Sequence, residues 1–415
     1  MYNPAMRIAI IGAGASGMAA ALQAAWHGAS VTLFERNETA GRKLLVTGSG
    51  RCNITNDAVT PEKYTCADPR WMGTLLGCFG VPELLGMLRE IGIPVSKTSD
   101  GWYYPLSNSA QTVVDSFSSA LQLAGVTIRL ATQVTAISAA SDGLIITLAR
   151  ENGGKTERYD RLIVAAGGKA YPTLGSRGEL FPVLEHLGHT VLPKRPALAP
   201  VLVDLRELKF LLGVRLDAGV ELWEGKNLLA SAAGNMIFTQ WGLNGPAVMD
   251  ISHHISARPA QILILSINLL KFFSVAFDEL LAQKRQTRLP VKVFLGAFFI
   301  PKVAALYLQL AGIPTDTLLD QVEDNILHQL VDKLKDTRLT VKGVRDFEYC
   351  QLSAGGVPVV EVDPRTLESR RLKGLYLTGE TLDVVGPCGG YNLQFAFSSG
   401  TLAGLAAADA STPNG

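Results

Sequence analysis

Residues 12–17 read Gly12-Ala13-Gly14-Ala15-Ser16-Gly17, three glycines spaced as GxGxxG. At that spacing the first glycine allows a tight turn and the second lets a pyrophosphate approach the backbone. The third lets a helix pack closely on a strand. A helix opening at this turn offers its N–H groups and the positive end of its dipole to phosphates. Glu35 stands 23 residues after Gly12, placed to accept hydrogen bonds from an adenosine ribose, with Arg36 beside it. A second glycine cluster, 41–56, sets Arg42, Lys43 and Arg51 among glycines and the small polar side chains of Cys52, Asn53 and Thr55. Cations, amides and hydroxyls in one loop are the parts needed to hold a pyrophosphate and a polar ring. So extended a loop straight after the ribose acid favours FAD over a simple nicotinamide cofactor. A third cluster lies far downstream: Gly379 and Glu380, Asp383, then Gly389-Gly390-Tyr391-Asn392.

The flanking residues predict the elements that must position these groups. Arg7–Ile11 is a short β-branched run that reads as a buried parallel strand. Met18–His27 is Ala-rich and helical, and Ser30–Phe34 reads as a second strand ending at Glu35. Arg161–Gly168 predicts another strand that passes the cofactor at Ala166 and Gly167. Residues 126–130, 133–137, 144–148 and 156–159 alternate as strands, and Val134 is taken as a cofactor contact. At the far end a strand over 374–380 and a helix over 395–408 flank the third cluster.

The middle of the chain reads differently. Pro193, Pro196 and Pro200 mark an exit, after which short strands with turn signals predict a small barrel or sandwich. Residues 273–285, 301–311 and 318–335 look helical. The expected architecture is α/β: a Rossmann-like, glutathione-reductase-like FAD-binding domain with an inserted β-rich domain plus a small helical segment. Its halves are placed at 1–190 and 346–415, and the insert at 191–345, barrel-like over 191–270 and helical over 271–345. The insert holds 18 Lys or Arg against 14 Asp or Glu, a mild excess most simply read as solvated surface.

Composition bounds the answer. The 415 residues exceed the ~250–300 that one core usually serves, so more than one domain is expected. Hydrophobic residues at 47% and charged residues at 18% exclude wholesale disorder. A net charge of +1 opposes a protein whose main task is coating nucleic acid. Five cysteines without a CxxC pair support neither a disulfide framework nor a zinc site, and no metal is expected. The N-terminus lacks a secretory pattern and no run reaches about 18 apolar residues, so a cytoplasmic protein is expected, with no membrane partner. No Ser/His/Asp series or metal-spaced histidine pair stands out. His253 and His254 are read as adjacent strand residues facing opposite ways.

The stretches GAGASG, GRKLLVTGSGRCNITN (41–56), LSAGGV (352–357), EVDPRTLES (361–369) and GETLDVVGPCGGYNLQFAFSSG (379–400) together resemble the BaiN/RdsA-type (YhiN-like) family of bacterial flavoproteins, across essentially the whole chain. The resemblance implies an FAD domain built from both chain ends and cytoplasmic flavin redox chemistry. Reactions in that family include reduction of activated C=C bonds in bile-acid rings, uracil reduction in ribosomal RNA and aminoacetone-type amine oxidation by oxygen. A small-molecule substrate is favoured and ribosomal RNA is the alternative partner. No second GxGxxG is present, so NADH or NADPH would visit only transiently as reductant. Tyr391, Tyr104 and Cys388 are the candidates for proton delivery. The segment 239–246 is similar to the family's joint between insert and flavin domain, but Asn244 stands where Ser is frequent, which weakens any hydroxyl role there.

Overall fold

The computed structural model describes residues 5–149 and 154–409. The chain divides into two compact units, Met1–Arg195 with Gln351–Gly415, and Pro196–Cys350.

In the first unit five parallel strands form the central sheet: β1 (Arg7–Ile11), β2 (Ser30–Phe34), β3 (Thr127–Arg129), β4 (Arg161–Val164) and β5 (Leu375–Leu377). Their order is β5-β4-β1-β2-β3, with all four neighbouring pairs parallel. This is the doubly-wound order in which ligands sit beyond the carboxyl ends of the strands. Ile8, Ala9 and Ile10 are fully buried, as a strand covered on both faces requires. The connection from β3 to β4 is an antiparallel meander, Val134–Ala140, Gly143–Leu148 and Lys155–Tyr159.

Helix α1 (Ala15–Trp26) packs against α2 (Tyr391–Ala408), which brings the two ends of the chain together. The approach depends on two glycines one helical turn apart. A Cβ on Gly400 would stand 2.1 Å from Ser16 O, and one on Gly404 would stand 2.3 Å from Ala20 O. Among the described residues one stretch, Pro69–Glu90, is long and apolar enough to cross a bilayer. It consists of two helices, Pro69–Cys78 and Val81–Glu90, whose Trp71, Met72, Leu75, Leu84 and Leu88 lie in the same buried core.

The second unit is a closed six-stranded barrel. Its strands follow one another as Val201–Val203, Gly242–Asn244, Asn227–Thr239, Arg215–Glu224, Leu263–Asn268 and Thr337–Val344. Helices Ser274–Lys284, Val291–Gly296, Pro301–Leu310 and Asp324–Lys335 accompany it. Phe277 anchors their core, with Phe294 and Phe298 rings both 5.0 Å away between centroids.

Several sequence expectations differ from the structure. The division falls after Arg195 rather than 190, because Leu192–Ala197 pairs with Leu352–Gly356 in a two-stranded sheet. With these bounds the second unit has sixteen cationic and sixteen acidic residues, so the expected positive excess disappears. Residues 271–345 are not uniformly helical, since Thr337–Val344 is the strand that closes the barrel. The helix expected over 318–335 starts only at Asp324, after a short turn at Leu319–Gln321. His253 and His254 lie on a short helix, Ser252–Ser256, with their rings 4.1 Å apart rather than on opposite faces. Within 239–246, Gly242–Asn244 is a barrel strand that pairs with Val201–Val203 and with the end of Asn227–Thr239. Trp102–Pro105, which carries Tyr104, is a strand paired with Val95–Lys97.

Candidate functional site

The three glycines of the first turn have different structural reasons. Gly12 adopts φ +103°, its N–H donates to Phe34 O at 2.7 Å, and a Cβ there would stand 2.4 Å from Ala165 O. A Cβ on Gly17 would stand 1.8 Å from Gly12 O, so only hydrogen fits between helix and turn. Gly14 is the opposite case, with φ −84° and no atom within 4 Å of its Cβ position. Space is left there for something other than protein. Ala15 and Ser16 open α1, whose N-terminus carries no side-chain cap, so its first N–H groups suit an anion.

Glu35 closes the turn from below. Its Oε2 accepts from Ala13 N at 2.9 Å, and its Oε1 accepts from Asn37 N at 2.9 Å and Asn37 Nδ2 at 2.7 Å. A carboxylate has about four lone-pair sites, so Oε2 keeps one acceptor site beyond its bond from Ala13 N. Arg36 pairs with Glu179, to which Gln133 Nε2 also donates at 3.1 Å. Neighbouring Val134 buries its side chain in the core and stands opposite Leu148 in the antiparallel meander. Ala166 and Gly167 follow β4, where Ala165 N donates to Ile11 O at 2.9 Å and Gly167 turns with φ +74°.

The second cluster is tied to the first, because Gly41 N donates to Ala13 O at 2.8 Å. Arg42 donates to Asn37 Oδ1 at 3.0 Å, and Lys43 Nζ lies 2.5 Å from Glu380 Oε2. Beyond Val46 the backbone turns through left-handed positions at Gly48, Ser49, Gly50 and Cys52. Arg51 lies 4.6 Å above the Tyr104 ring. Cys52 is fully enclosed, and burial pushes its thiol up to about 12. It therefore stays protonated at neutral pH, and no disulfide joins it to Cys388 among the described residues.

The third cluster closes over these loops. Gly379 N donates to Ser399 Oγ at 3.0 Å, and a Cβ on Gly379 would stand 2.7 Å from Ser16 Oγ. Glu380 Oε1 accepts from Ser353 N at 2.8 Å and Ser353 Oγ at 2.9 Å. Thr55 Oγ1 donates to Gln394 Oε1 at 2.5 Å, and Asn56 Nδ2 to Gly389 O at 3.2 Å. A Cβ on Gly390 would stand 2.6 Å from the Thr55 carbonyl. Asp383 and Asn392 instead shape their own surroundings: Asp383 Oδ1 accepts from Gly355 N at 2.7 Å, and Asn392 Oδ1 from Gly386 N at 2.8 Å.

Two polar atoms in these loops are buried with no hydrogen-bond partner among the described residues, Asn53 Oδ1 and Thr381 Oγ1. Thr381 carries no sequence signal of its own, as it merely follows the Gly-Glu turn. Together with the open position at Gly14 they are what a cradle for a polar, phosphate-bearing cofactor leaves unsatisfied, so the donor set fits FAD.

The three proton-delivery candidates are not equivalent. Tyr391 sits in the core, with its hydroxyl donating toward Ala58 O at 3.5 Å and its ring 6.1 Å from Tyr64. Cys388 is half-buried on the turn beside Gly389. Tyr104 is buried, its hydroxyl bonds to nothing among the described residues, and burial raises its pKa.

A buried constellation escaped the sequence reading altogether. His189 Nδ1 meets Glu361 Oε2 at 2.8 Å, and its Nε2 meets Ser369 Oγ at 2.9 Å. The order Ser–His–Glu matches a nucleophilic triad, but Ser369 Oγ also accepts from Arg371 N and Leu372 N, both at 3.0 Å. Those N–H groups hold the oxygen itself rather than a developing oxyanion, and Ser369 is buried. The trio is a structural clasp. Among the described residues no group of three or more His, Cys, Asp or Glu could hold a metal.

Sheet order, glycine turn and ribose acid define the class: a Rossmann-fold FAD-dependent oxidoreductase. Residues 6–406 match the description "HI0933-like protein Rossmann domain", and the chain belongs to that family. It is 36% identical to the 3-dehydro-bile acid delta(4,6)-reductase of Clostridium scindens, over 97% of this chain and 99% of the relative. It is 32% identical to the ribosomal RNA dihydrouridine synthase of Escherichia coli, over 94% of this chain and 95% of the relative. The fold is also similar to 3-ketosteroid-delta4-(5alpha)-dehydrogenase from Rhodococcus jostii, with a TM-score of 0.53, 13% identity and coverage of 99% and 98% of the two chains.

Proposed function

We propose that this protein reduces an activated C=C bond in a small steroid- or bile-acid-like enone, with FAD held in the first unit and NADH or NADPH as transient reductant. The observation that carries the reading is the cradle formed by three chain-distant clusters, with Asn53 and Thr381 left unpartnered inside it. The Clostridium scindens relative supports the substrate class. Bound flavin supplies hydride chemistry at its N5.

The chain's own residues do the rest. Gly14 leaves room for the pyrophosphate, Glu35 keeps an acceptor for the adenosine ribose, and the Lys43–Glu380 pair fixes the two loops against each other. Tyr104 is the acid favoured among the three candidates, because it is buried and its hydroxyl bonds to nothing among the described residues. The reaction is placed in the cytoplasm.

A second reading is reduction of uracil in ribosomal RNA, supported by the Escherichia coli relative. The balanced charge of the second unit gives RNA phosphates no net electrostatic attraction there, which weighs toward the small molecule. Anaerobic mixing with NADH and NADPH tests the reductase reading. Flavin should bleach with one of them and recolour when a 3-keto-4-ene steroid is added. Flavin that stays oxidised with both, yet bleaches with an amine, would overturn it in favour of an oxidase. Recolouring only with uracil-containing ribosomal RNA would transfer the activity to the second reading.

A further inference from the structure

Asn53 is 7% exposed, and its Oδ1 is enclosed without a donor among the described residues. The backbone on either side is pinned. Cys52 N donates to Thr47 O at 3.0 Å with φ +59° at Cys52, and Ile54 N donates to Tyr103 O at 2.8 Å. A Cβ on Gly48 would stand 3.0 Å from Asn53 N, so the neighbouring turn also leaves the residue no slack. Unpaired buried amide oxygens are costly, and natural proteins satisfy them. A side chain fixed so firmly with its oxygen unused awaits a ligand donor.

A carboxamide offers an acceptor beside a donor, which complements an N–H flanked by carbonyl groups. The pyrimidine ring of an isoalloxazine carries that imide edge at N3. Adenine offers a different pairing edge, but the adenosine end of the cofactor belongs at Glu35, where β2 ends. Asn53 lies on the other loop, two residues from Thr55 and its bond to Gln394. We infer that Asn53 reads the imide edge of the flavin, its Oδ1 accepting from N3–H, an assignment that rests on the FAD reading above. Asn53 is thereby the residue that selects a flavin with an unsubstituted imide.

The test uses full-length apoprotein titrated with FAD and with 3-methyl-FAD, followed by quenching of flavin fluorescence. Wild type should bind FAD at least about ten-fold more tightly than the methylated analogue. Asn53→Ala should lose roughly ten-fold in FAD affinity and discriminate between the two by less than about two-fold. Asn53→Asp, which preserves shape, should lower the midpoint potential of bound flavin by placing negative charge beside it. If both variants bind the two flavins as wild type does, with unchanged potential, the inference is overturned. Discrimination that persists in Asn53→Ala, as an adenine contact would give, overturns it equally. Failure of wild type to bind FAD at all would sink the functional reading instead.

Discussion

The ammonium of Lys43 and the carboxylate of Glu380 lie 2.5 Å apart across 337 residues of sequence. Their side chains are 25% and 10% exposed, so the pair is only partly hydrated. Glu380 also holds Ser353 through two further bonds, and so it joins three distant segments around one carboxylate. Glu380→Ala should leave Lys43 and the Ser353 N–H without partners. The expected cost is about 1–3 kcal/mol in denaturant unfolding, with weaker flavin retention on gel filtration. Stability within about 0.5 kcal/mol of wild type would show that water replaces the carboxylate.

The glycines of the first turn separate folding from binding. Gly14→Leu meets open space at an ordinary φ, so the apoprotein should melt near the wild-type temperature yet purify without flavin. Gly17→Ala would drive a Cβ to 1.8 Å from Gly12 O and should lower stability by about 2 kcal/mol or more whether or not flavin is present. Equal melting temperatures for both variants would contradict this division.

Tyr104→Phe should leave flavin affinity unchanged and lower turnover by about 10²–10⁴-fold, the usual weight of a general acid. Tyr391→Phe removes the 3.5 Å bond to Ala58 O and should retain turnover within about three-fold of wild type. Steady-state rates of the two variants rank them directly, and the opposite order would move the proton donor to Tyr391.

The clasp at His189 makes stability depend on pH. Burial depresses the His189 pKa below 6.5, so the unfolded chain binds the proton first and stability falls as pH drops through 6.5 toward the folded value. Glu361 feels burial in the opposite direction, but bonds from Thr190, His189 and Arg371 hold its pKa below 4.5. Its contribution is lost in a second, more acidic window. Melting temperature measured from pH 8 to 2 should decline in both windows, and His189→Gln should remove the first decline only. A flat profile between pH 7 and 5 in wild type would contradict this account.

The features legible in the sequence were those whose partners are near in the chain. Gly12, Gly17 and Glu35 fall within one strand–turn–helix–strand unit, and the tight turn and close helix packing at the two glycines follow from spacing alone. The C-terminal cluster was legible because Gly389 and Gly390 stand immediately before a helix. The clasp was not, since His189 lies 172 residues from Glu361 and 180 from Ser369. The strand Thr337–Val344 was hidden by the helices that precede it and a burial pattern too weak to alternate clearly. Thr381 becomes a candidate only once burial has removed every other partner from its hydroxyl.

The barrel's first and last strands are neighbours, with Val201 opposite Val344 and Leu202 opposite Gly343. The segments that lead to and from it, Leu192–Ala197 and Leu352–Gly356, are likewise paired strands. Entry and exit are thus a single doorway on each side, and a short reverse turn could bridge it. Such a layout lets the barrel be exchanged as a whole, like a cassette, while the first unit keeps its own strand order.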